Sequence, residues 1–267
     1  MDVLLTYDNF GEAYDLLRYG HAGGASADNI YAIRRGIPRI MEMLAHNGLH
    51  ATFFVEGWGA KHYPTLLREI VAAGHEVGGH GWMHEQWDTL QEDEERELIA
   101  RTTLAIGDAL GTPPVGWRSP FSRTTKATLS ILADHGYRYD SSFADEDIPY
   151  RIHVKPGDAR TLIEFPLSGV LNDAPYYNGS NGFRSPDDVH EMHFGELSGL
   201  AKAAGFGVLV AHPRFTGRPA RLEGHERTIQ RLRAGEIGDV RFLRGDQAAE
   251  EYDQRDDVPT YDAPREM

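Results

Sequence analysis

The chain has 267 residues, of which 40% are hydrophobic and 25% charged, so its composition is that of a soluble globular protein and its length suits one α/β barrel domain. Its formal net charge of −14 disfavours nucleic acid, polyanionic substrates and anionic membrane surfaces as partners. No apolar run approaches the roughly 20 residues that span a bilayer, and the absence of cysteine excludes a disulfide framework and thiolate chemistry.

Apolar, β-prone segments alternate with longer helical patterns from the first residues onward. In chain order, the predicted elements are a strand at 3–7, a helix at 28–47, a strand at 51–56, a helix at 63–73, a strand at 75–80, a helix at 93–110, a short strand at 115–118, a helix at 124–135, a strand at 162–166, a helix at 186–204, a strand at 206–212, a helix at 221–234 and a short strand at 240–243. Gly48, Gly74 and Gly136 each follow a predicted helix, where glycine suits the left-handed end.

This alternation predicts a mainly parallel sheet with helices outside it, and at this length we predict a closed or distorted barrel rather than an open sheet. No GxGxxG motif follows the first strand, which counts against a dinucleotide-binding fold. We find no linker and no repeat, so residues 1–249 are predicted to form a single domain. Residues 145–188 are expected to build loops over one barrel end, and the acidic residues 250–267 a loose tail.

Polar side chains follow several predicted strands at the point where each strand ends. Asp8 and Asn9 directly follow the first strand, and His80 ends the third. Arg118 ends the short strand at 115–118, and His212 ends the strand at 206–212. Because the carboxyl ends of parallel barrel strands meet at one face and hold the active site, we expect these side chains to lie close together.

His80 and His84 are four residues apart. In helical geometry this spacing places two imidazoles on one face, with about 5–6 Å between their Cβ atoms. Such a pair suits one divalent ion. A glutamate does not follow His80, so the pattern is not the HExxH motif of metalloproteases.

Taken together and in this order, these segments resemble the polysaccharide deacetylase family, whose members carry a NodB-like domain. The segments that carry the resemblance are Thr6-Tyr7-Asp8-Asn9, similar to the family's TFDD; His80-Gly81-Trp82-Met83-His84, similar to its HxxxH; Arg118-Ser119-Pro120-Phe121, similar to its RxP(Y/F); Asp140-Ser141-Ser142, similar to its DSS; and Leu209-Val210-Ala211-His212, similar to its LxxH. The resemblance extends from residue 3 to about residue 213, which is nearly the whole predicted fold.

The resemblance implies a distorted (β/α)7 barrel. The glycine-rich stretch after the first strand is most similar to a cytoplasmic branch that includes a Helicobacter-type peptidoglycan deacetylase and metal-independent allantoinases. We therefore expect a homo-oligomer in the cytoplasm, and the N-terminus agrees because it lacks the basic stretch and cleavage site of a signal peptide.

The resemblance also implies roles for the residues that match the family's motifs. His80 and His84 would bind a divalent metal, usually zinc. Asp8 would be the general base that activates a water molecule, and Arg118 would hold the Asp8 carboxylate in place. His212 would be the general acid that protonates the leaving amine.

One departure from the family's pattern concerns the third metal ligand, which is normally the second Asp of TFDD and is Asn9 here. Three alternatives follow. Asn9 could bind the metal through its amide oxygen, Asp8 could bind the metal and share the role of base, or the metal could be weak or absent. The site we expect combines His80 and His84 with an oxygen from Asp8 or Asn9.

Further residues are predicted to support catalysis and substrate binding. A carboxylate should orient His212, as is common for such histidines, and Asp173 is the first candidate and Asp140 the second. Pro120, Phe121 and Trp82 are predicted to contact the substrate, and aromatic rings of this kind stack on sugars.

The predicted activity is hydrolysis of a non-peptide amide bond, and the substrate class stays open. The resemblance favours deacetylation of an N-acetylated sugar or polysaccharide. One alternative is cleavage of a small cyclic amide, ureide or imide. A second alternative is a barrel without metal or catalysis that binds a ligand or serves as a scaffold.

Overall fold

The computed structural model describes residues 1–20, 28–179 and 182–262. Within these ranges the strands are Asp2–Asp8 (β1), Thr52–Val55 (β2), Glu76–Gly79 (β3), Gly116–Trp117 (β4), Tyr139–Asp140 (β5), Tyr150–His153 (β6), Thr161–Glu164 (β7), Gly207–Ala211 (β8), Arg241–Leu243 (β9) and Thr260–Tyr261 (β10). The helices are Ala13–Tyr19 (α1), Asp28–Tyr31 (α2), Ile37–His46 (α3), Gly57–His62 (α4), Pro64–Ala72 (α5), Glu92–Leu110 (α6), Thr128–Asp134 (α7), Ala174–Tyr177 (α8), Pro186–Lys202 (α9), Pro219–Arg233 (α10) and Gly245–Asp253 (α11).

The strands form one curved sheet in the order β10-β6-β7-β5-β4-β3-β2-β1-β8, and β9 also pairs with β1. All pairs are parallel except β6 with β7. The carboxyl ends of β2, β1 and β8 therefore lie side by side, since Asp8 pairs with Phe54 and Tyr7 with Ala211. The predicted mainly parallel α/β sheet is confirmed.

Side chains from distant strands meet inside the curve of the sheet. Leu4 of β1, Phe54 of β2, Tyr139 of β5, Ile163 of β7 and Val208 of β8 belong to one buried cluster. A flat sheet could not bring these five side chains together, so the sheet encloses a common interior. The result is a distorted barrel, which strand-to-strand hydrogen bonds do not close within the described part of the chain.

A π-helical turn at Ala32–Gly36 interrupts the helix that the sequence predicts at 28–47. Pro38 stands in the first turn of α3 and has no N–H to donate to the preceding turn, which favours a change of helical type there. Gly36 is also tightly packed, because a Cβ at this position would lie 2.2 Å from the carbonyl oxygen of Pro213. This helix thus supports the loop that follows His212.

The C-terminal region differs from the loose tail predicted for residues 250–267. Helix α11 continues to Asp253, Tyr252 and Val258 are buried, and β10 pairs with β6. The prediction was wrong as far as residue 261 because the acidic pattern hides the few apolar residues that anchor the segment. Residues 263–267 lie outside the described residues.

No helix in the part of the chain described here is long and apolar enough to cross a membrane.

Candidate active site

A cavity of about 820 Å³ opens at the carboxyl ends of the central strands. Seven of the residues selected from the sequence line it: Asp8, Asn9, His80, His84, Arg118, Phe121 and His212. The parallel strands explain this convergence, since each of these residues ends a strand or lies in the loop that follows one.

The ion pair between Asp8 and Arg118 forms the floor of the cavity. Arg118 Nη1 donates to Asp8 Oδ1 at 2.9 Å and to Thr6 Oγ1 at 2.7 Å. Its Nε and Nη2 donate to the carbonyl and hydroxyl oxygens of Ser141 at 2.9 and 2.7 Å. Asp8 and Arg118 are both buried, where an ion pair needs this many hydrogen bonds to offset its desolvation. The guanidinium therefore fixes the orientation of the Asp8 carboxylate.

His80, which follows β3, is held by the backbone at the end of the neighbouring strand β4. Its Nδ1 lies 2.7 Å from the carbonyl oxygen of Arg118. A carbonyl can only accept, so Nδ1 carries the proton and Nε2 keeps its lone pair. The arrangement leaves one imidazole nitrogen of His80 available as a metal ligand.

His84 reaches His80 through a loop, and the helical geometry predicted for the pair is wrong. The chain is irregular after Gly79, and Gly81 and His84 both adopt left-handed backbone conformations, with φ of 73° and 65°. These two residues turn the chain back on itself, and the ring centroids of His80 and His84 lie 5.0 Å apart. The proximity is as the spacing suggested, although the backbone that produces it is not a helix.

Both histidines are neutral at pH 7. Burial lowers the pKa of His80 to about 4, and the opposing effects of the Asp8 charge and the Arg118 carbonyl are smaller. Burial also lowers the pKa of His84 well below its usual value, and the nearby His80, Arg214 and His212 add to this. A neutral imidazole is the form that binds a metal.

The chemistry of the donor set fits a metal ion with an amide oxygen as one ligand. Asn9 is 5% exposed and its Oδ1 has no hydrogen-bond partner, and the same is true of the buried Nδ1 of His84. Among the residues that the structure describes, no group of three or more His, Asp or Glu side chains is placed to hold a metal. Asn9 thus offers an unpartnered oxygen donor on the cavity that His80 and His84 also line.

His212 is fixed by Asp173 across the cavity from the histidine pair. His212 Nδ1 lies 2.6 Å from Asp173 Oδ1, and Asp173 Oδ2 accepts the His212 backbone N–H at 3.0 Å and the Thr216 hydroxyl at 2.6 Å. Burial alone would raise the pKa of Asp173, but the charge and hydrogen bonds of His212, with Thr216, lower it overall. The second candidate, Asp140, accepts a hydrogen bond from the Ser142 hydroxyl at 2.7 Å instead.

Comparison with known proteins identifies the family. The model of the polysaccharide deacetylase family matches residues 24–139. A peptidoglycan deacetylase of Helicobacter pylori is 28% identical over 268 residues, which cover 88% of this chain and 91% of that protein. A crystal structure assigned as a polysaccharide deacetylase from Mycobacterium smegmatis superposes with a TM-score of 0.91 at 30% identity, covering 100% of this chain and 94% of that one. The chain belongs to the polysaccharide deacetylase family. It is accordingly a hydrolase that acts on non-peptide carbon–nitrogen bonds.

The crystal structure of Puue allantoinase also superposes, with a TM-score of 0.82 at 23% identity, over 94% of this chain and 89% of that one. At this identity the likeness concerns the fold alone. It shows that the same fold occurs in a protein named for a different substrate.

For a member of this family, the substrate-facing wall differs in part from the prediction. Phe121 lines the cavity, is 47% exposed and packs edge-on against His84 with ring centroids 4.4 Å apart. Pro120 is buried behind it, against Gly81. Trp82 is buried on the other side of its loop, under the guanidinium of Arg101 and beside a separate groove. Neither Pro120 nor Trp82 lines the cavity, and their predicted contact with the substrate stays a prediction.

Several residues of the deacetylase site were missed from the sequence. Tyr14, Phe215 and Arg214 line the cavity, and Glu56 lies buried directly after β2. Glu56 carries the same signal that revealed Asp8 and His80, a polar residue after a buried strand. Tyr14 belongs to the short helix α1, whose sequence has no clear apolar period, so no pattern pointed to it.

Proposed function

We propose that this chain is a metal-dependent deacetylase of an N-acetylated sugar or polysaccharide, with zinc as the expected ion. The observation that carries the proposal is the arrangement on one cavity of two neutral histidines, an unpartnered amide oxygen, a fixed carboxylate and a carboxylate-bound histidine. Each of these groups has a role in amide hydrolysis. Location in the cytoplasm and homo-oligomeric assembly stay predictions.

The metal would be held by His80, His84 and the Oδ1 atom of Asn9. A divalent ion at this position supplies a Lewis acid for the amide carbonyl and makes a water molecule more acidic. The neutral state of both imidazoles and the unpartnered Asn9 oxygen support this ligand set. Asp8 is less suited to be a ligand, because its Oδ1 is already bound to Arg118.

The proton transfers belong to Asp8 and His212. Arg118 holds the Asp8 carboxylate in a fixed orientation on the cavity, and a carboxylate in this place can take the proton of the attacking water. His212 donates Nδ1–H to Asp173, so its Nε2 is the atom that carries a proton to the leaving nitrogen when the ring is protonated. The amide C–N bond breaks as a C–O bond forms, and the products are acetate and a free amine.

The first experiment tests the metal and the base together. Purified protein should carry about one zinc ion per chain, and a chelator should abolish its activity. His80→Ala and His84→Ala should lose the ion, while Asp8→Asn should keep it and lower kcat by on the order of 10²–10⁴. The exposed His62→Ala is the control and should behave as the wild type. Full metal occupancy in a His80→Ala/His84→Ala double variant would exclude the proposed site.

A second measurement decides the substrate class. Zinc-loaded protein is incubated with N-acetylglucosamine oligomers and, separately, with small cyclic ureides. Release of acetate from the oligomers is the expected result. Turnover of the ureides alone would assign the chain to the cyclic-amide alternative, and turnover of neither by a zinc-loaded protein would favour the non-catalytic alternative.

A further inference from the structure

A short segment, Glu56–Gly59, touches both loops that carry the proposed metal ligands. It joins the end of β2 to the first turn of α4. On one side, the Glu56 side chain accepts the backbone N–H of Phe10 at 2.6 Å. On the other, the N–H groups of Gly57 and Trp58 donate to the carbonyls of residues 81 and 82, both at 2.9 Å. The segment thus connects the loop of Asn9 to the loop between the two histidines.

The bond to Phe10 restricts Asn9 directly. The peptide unit between Asn9 and Phe10 is planar, so the direction of the Phe10 N–H sets the ψ angle of Asn9. Asn9 already has a left-handed φ of 70°, a conformation that asparagine tolerates better than most residues. With φ and ψ both defined, the direction in which the Asn9 side chain leaves the backbone is also defined.

Helix α4 limits Phe10 from the opposite side. A Cβ on Gly59 would lie 2.6 Å from the carbonyl oxygen of Phe10, so the helix backbone packs directly against this residue. Phe10 is held through its N–H by Glu56 and through its carbonyl side by Gly59. A shift of the Asn9–Phe10 turn would therefore have to displace α4 as well.

Glu56 is an unusual residue for a purely structural role. Its side chain is fully buried, and its Oε1 has no hydrogen-bond partner among the residues that the structure describes. Burial raises the pKa of Glu56 to about 8, although the Phe10 N–H favours the ionised form. An apolar side chain of similar volume would avoid the cost of burying a carboxyl group.

We propose that Glu56 is a positioning residue of the metal centre, which fixes the Asn9 oxygen through the Phe10 N–H while the next two amides fix the His80–His84 loop. The inference rests on the metal site proposed above. It assigns to Glu56 a function in metal binding that acts through Asn9 without contact between Glu56 and the ion.

The test compares two substitutions of Glu56 by zinc titration of the apo protein against a competing chelator. Glu56→Met removes the acceptor and keeps the volume, and zinc affinity should fall by about 10- to 100-fold. Glu56→Gln keeps an oxygen that can accept the Phe10 N–H, and affinity should stay within about threefold of the wild type. Apo Glu56→Met should be at least as stable to heat as the wild type, because it no longer buries a carboxyl group.

Glu76 provides a matched control at the other end of the barrel. It is also buried, but it starts β3 and accepts hydrogen bonds from Thr52, Tyr139 and the Asp246 backbone. Glu76→Met should lower the melting temperature of the apo protein and leave zinc affinity unchanged. This control separates a general loss of stability from a loss of metal positioning.

The outcomes separate this inference from the proposed function. Wild-type affinity in Glu56→Met, or an equal loss in Glu56→Gln and Glu56→Met, would overturn the positioning role while the metal site stands. If wild-type protein itself binds no zinc, the proposed metal site fails and this inference fails with it.

Discussion

Asn9 is the residue at which this chain departs from the aspartate that the resemblance leads one to expect. Its amide oxygen is buried without a partner, and Asn9 lines the same cavity as two neutral histidines. An amide can coordinate zinc, but a carboxylate coordinates it more strongly because it also brings a negative charge. The residue therefore has a direct and measurable consequence for metal affinity.

Asn9→Asp is expected to raise zinc affinity by about tenfold or more, measured by titrating the apo protein in a competing chelator. The added charge also makes the ion a poorer Lewis acid, so the acid limb of the pH–rate profile should move to higher pH. The two changes should occur together, because both arise from the same carboxylate.

Asn172→Asp is the control for charge alone. Asn172 lines the same cavity, but its side-chain oxygen accepts the Ala174 N–H and is not left unpartnered. Asn172→Asp should therefore change zinc affinity much less than Asn9→Asp does. Equal affinity in wild type and Asn9→Asp would remove Asn9 from the ligand set and leave Asp8 as the remaining oxygen donor of β1.

At the scale of elements, the C-terminal segment is attached to the sheet by a side chain of β6 as well as by its own buried apolar residues. Arg151 donates to four backbone carbonyls of this segment: those of Tyr252, Asp253, Arg255 and Val258, at 2.8–3.3 Å. Hydrogen bonds from a charged donor are stronger than those between neutral groups. This clustering explains why residues that look like an acidic tail form a helix end and a strand.

Arg151→Met is expected to lower the free energy of unfolding by about 2–4 kcal/mol, since four carbonyls lose one shared donor. Hydrogen exchange should increase in residues 252–262. At 25 °C kcat should be unchanged, because Arg151 does not line the active-site cavity.

Arg160→Met is the control from the neighbouring β6–β7 region. The ion pairs of Arg160 with Asp134 and Asp158 are at the surface. Arg160→Met should therefore lower the free energy of unfolding by less than about 1 kcal/mol. An equal effect of both substitutions in urea unfolding, or unchanged exchange in residues 252–262 of Arg151→Met, would show that Arg151 does not anchor the segment.

At the scale of the whole molecule, stability depends on histidines that fold in the neutral state. His225 lies buried under β1, and its Nε2 is 3.0 Å from the Tyr7 hydroxyl. Burial lowers the pKa of His225 to about 4, with His193 adding to the effect and Asp173 opposing it. The unfolded chain takes up this proton near pH 6.5 and the folded chain only near pH 4. The stabilisation is therefore complete above pH 6.5 and is lost as the pH falls towards 4.

His225→Gln tests this linkage by urea unfolding at pH 7, 5.5 and 4. The free energy of unfolding of the wild type should fall relative to that of the variant as the pH falls. The change should reach up to about 3 kcal/mol between pH 7 and pH 4. The exposed His46→Gln should differ from the wild type by the same amount at each pH. A difference between wild type and His225→Gln that does not change with pH would contradict the assignment.

The sequence by itself determined the sheet and the set of residues that meet at its edge. The apolar pattern of each strand indicates where the strand ends, and parallel strands bring those ends to one face of the barrel. The sequence therefore predicts that Asp8, His80, Arg118 and His212 lie together, and all four line the cavity. The spacing of His80 and His84 also predicts that their side chains lie close together. The helix predicted to bring them together was wrong, because Gly81 permits a left-handed turn there.

Only the tertiary structure decided which neighbours these residues have. The choice of Asp173 over Asp140 depends on where the loop after β7 crosses the end of β8. The position of Trp82 away from the cavity depends on which side of its loop packs against Arg101. The positioning role proposed for Glu56 follows from its hydrogen bond with the Phe10 N–H, and Phe10 is 46 residues away in the chain. Local periodicity reflects the burial of a face and carries no information about which distant segment covers it, so contacts of this kind are set by packing alone.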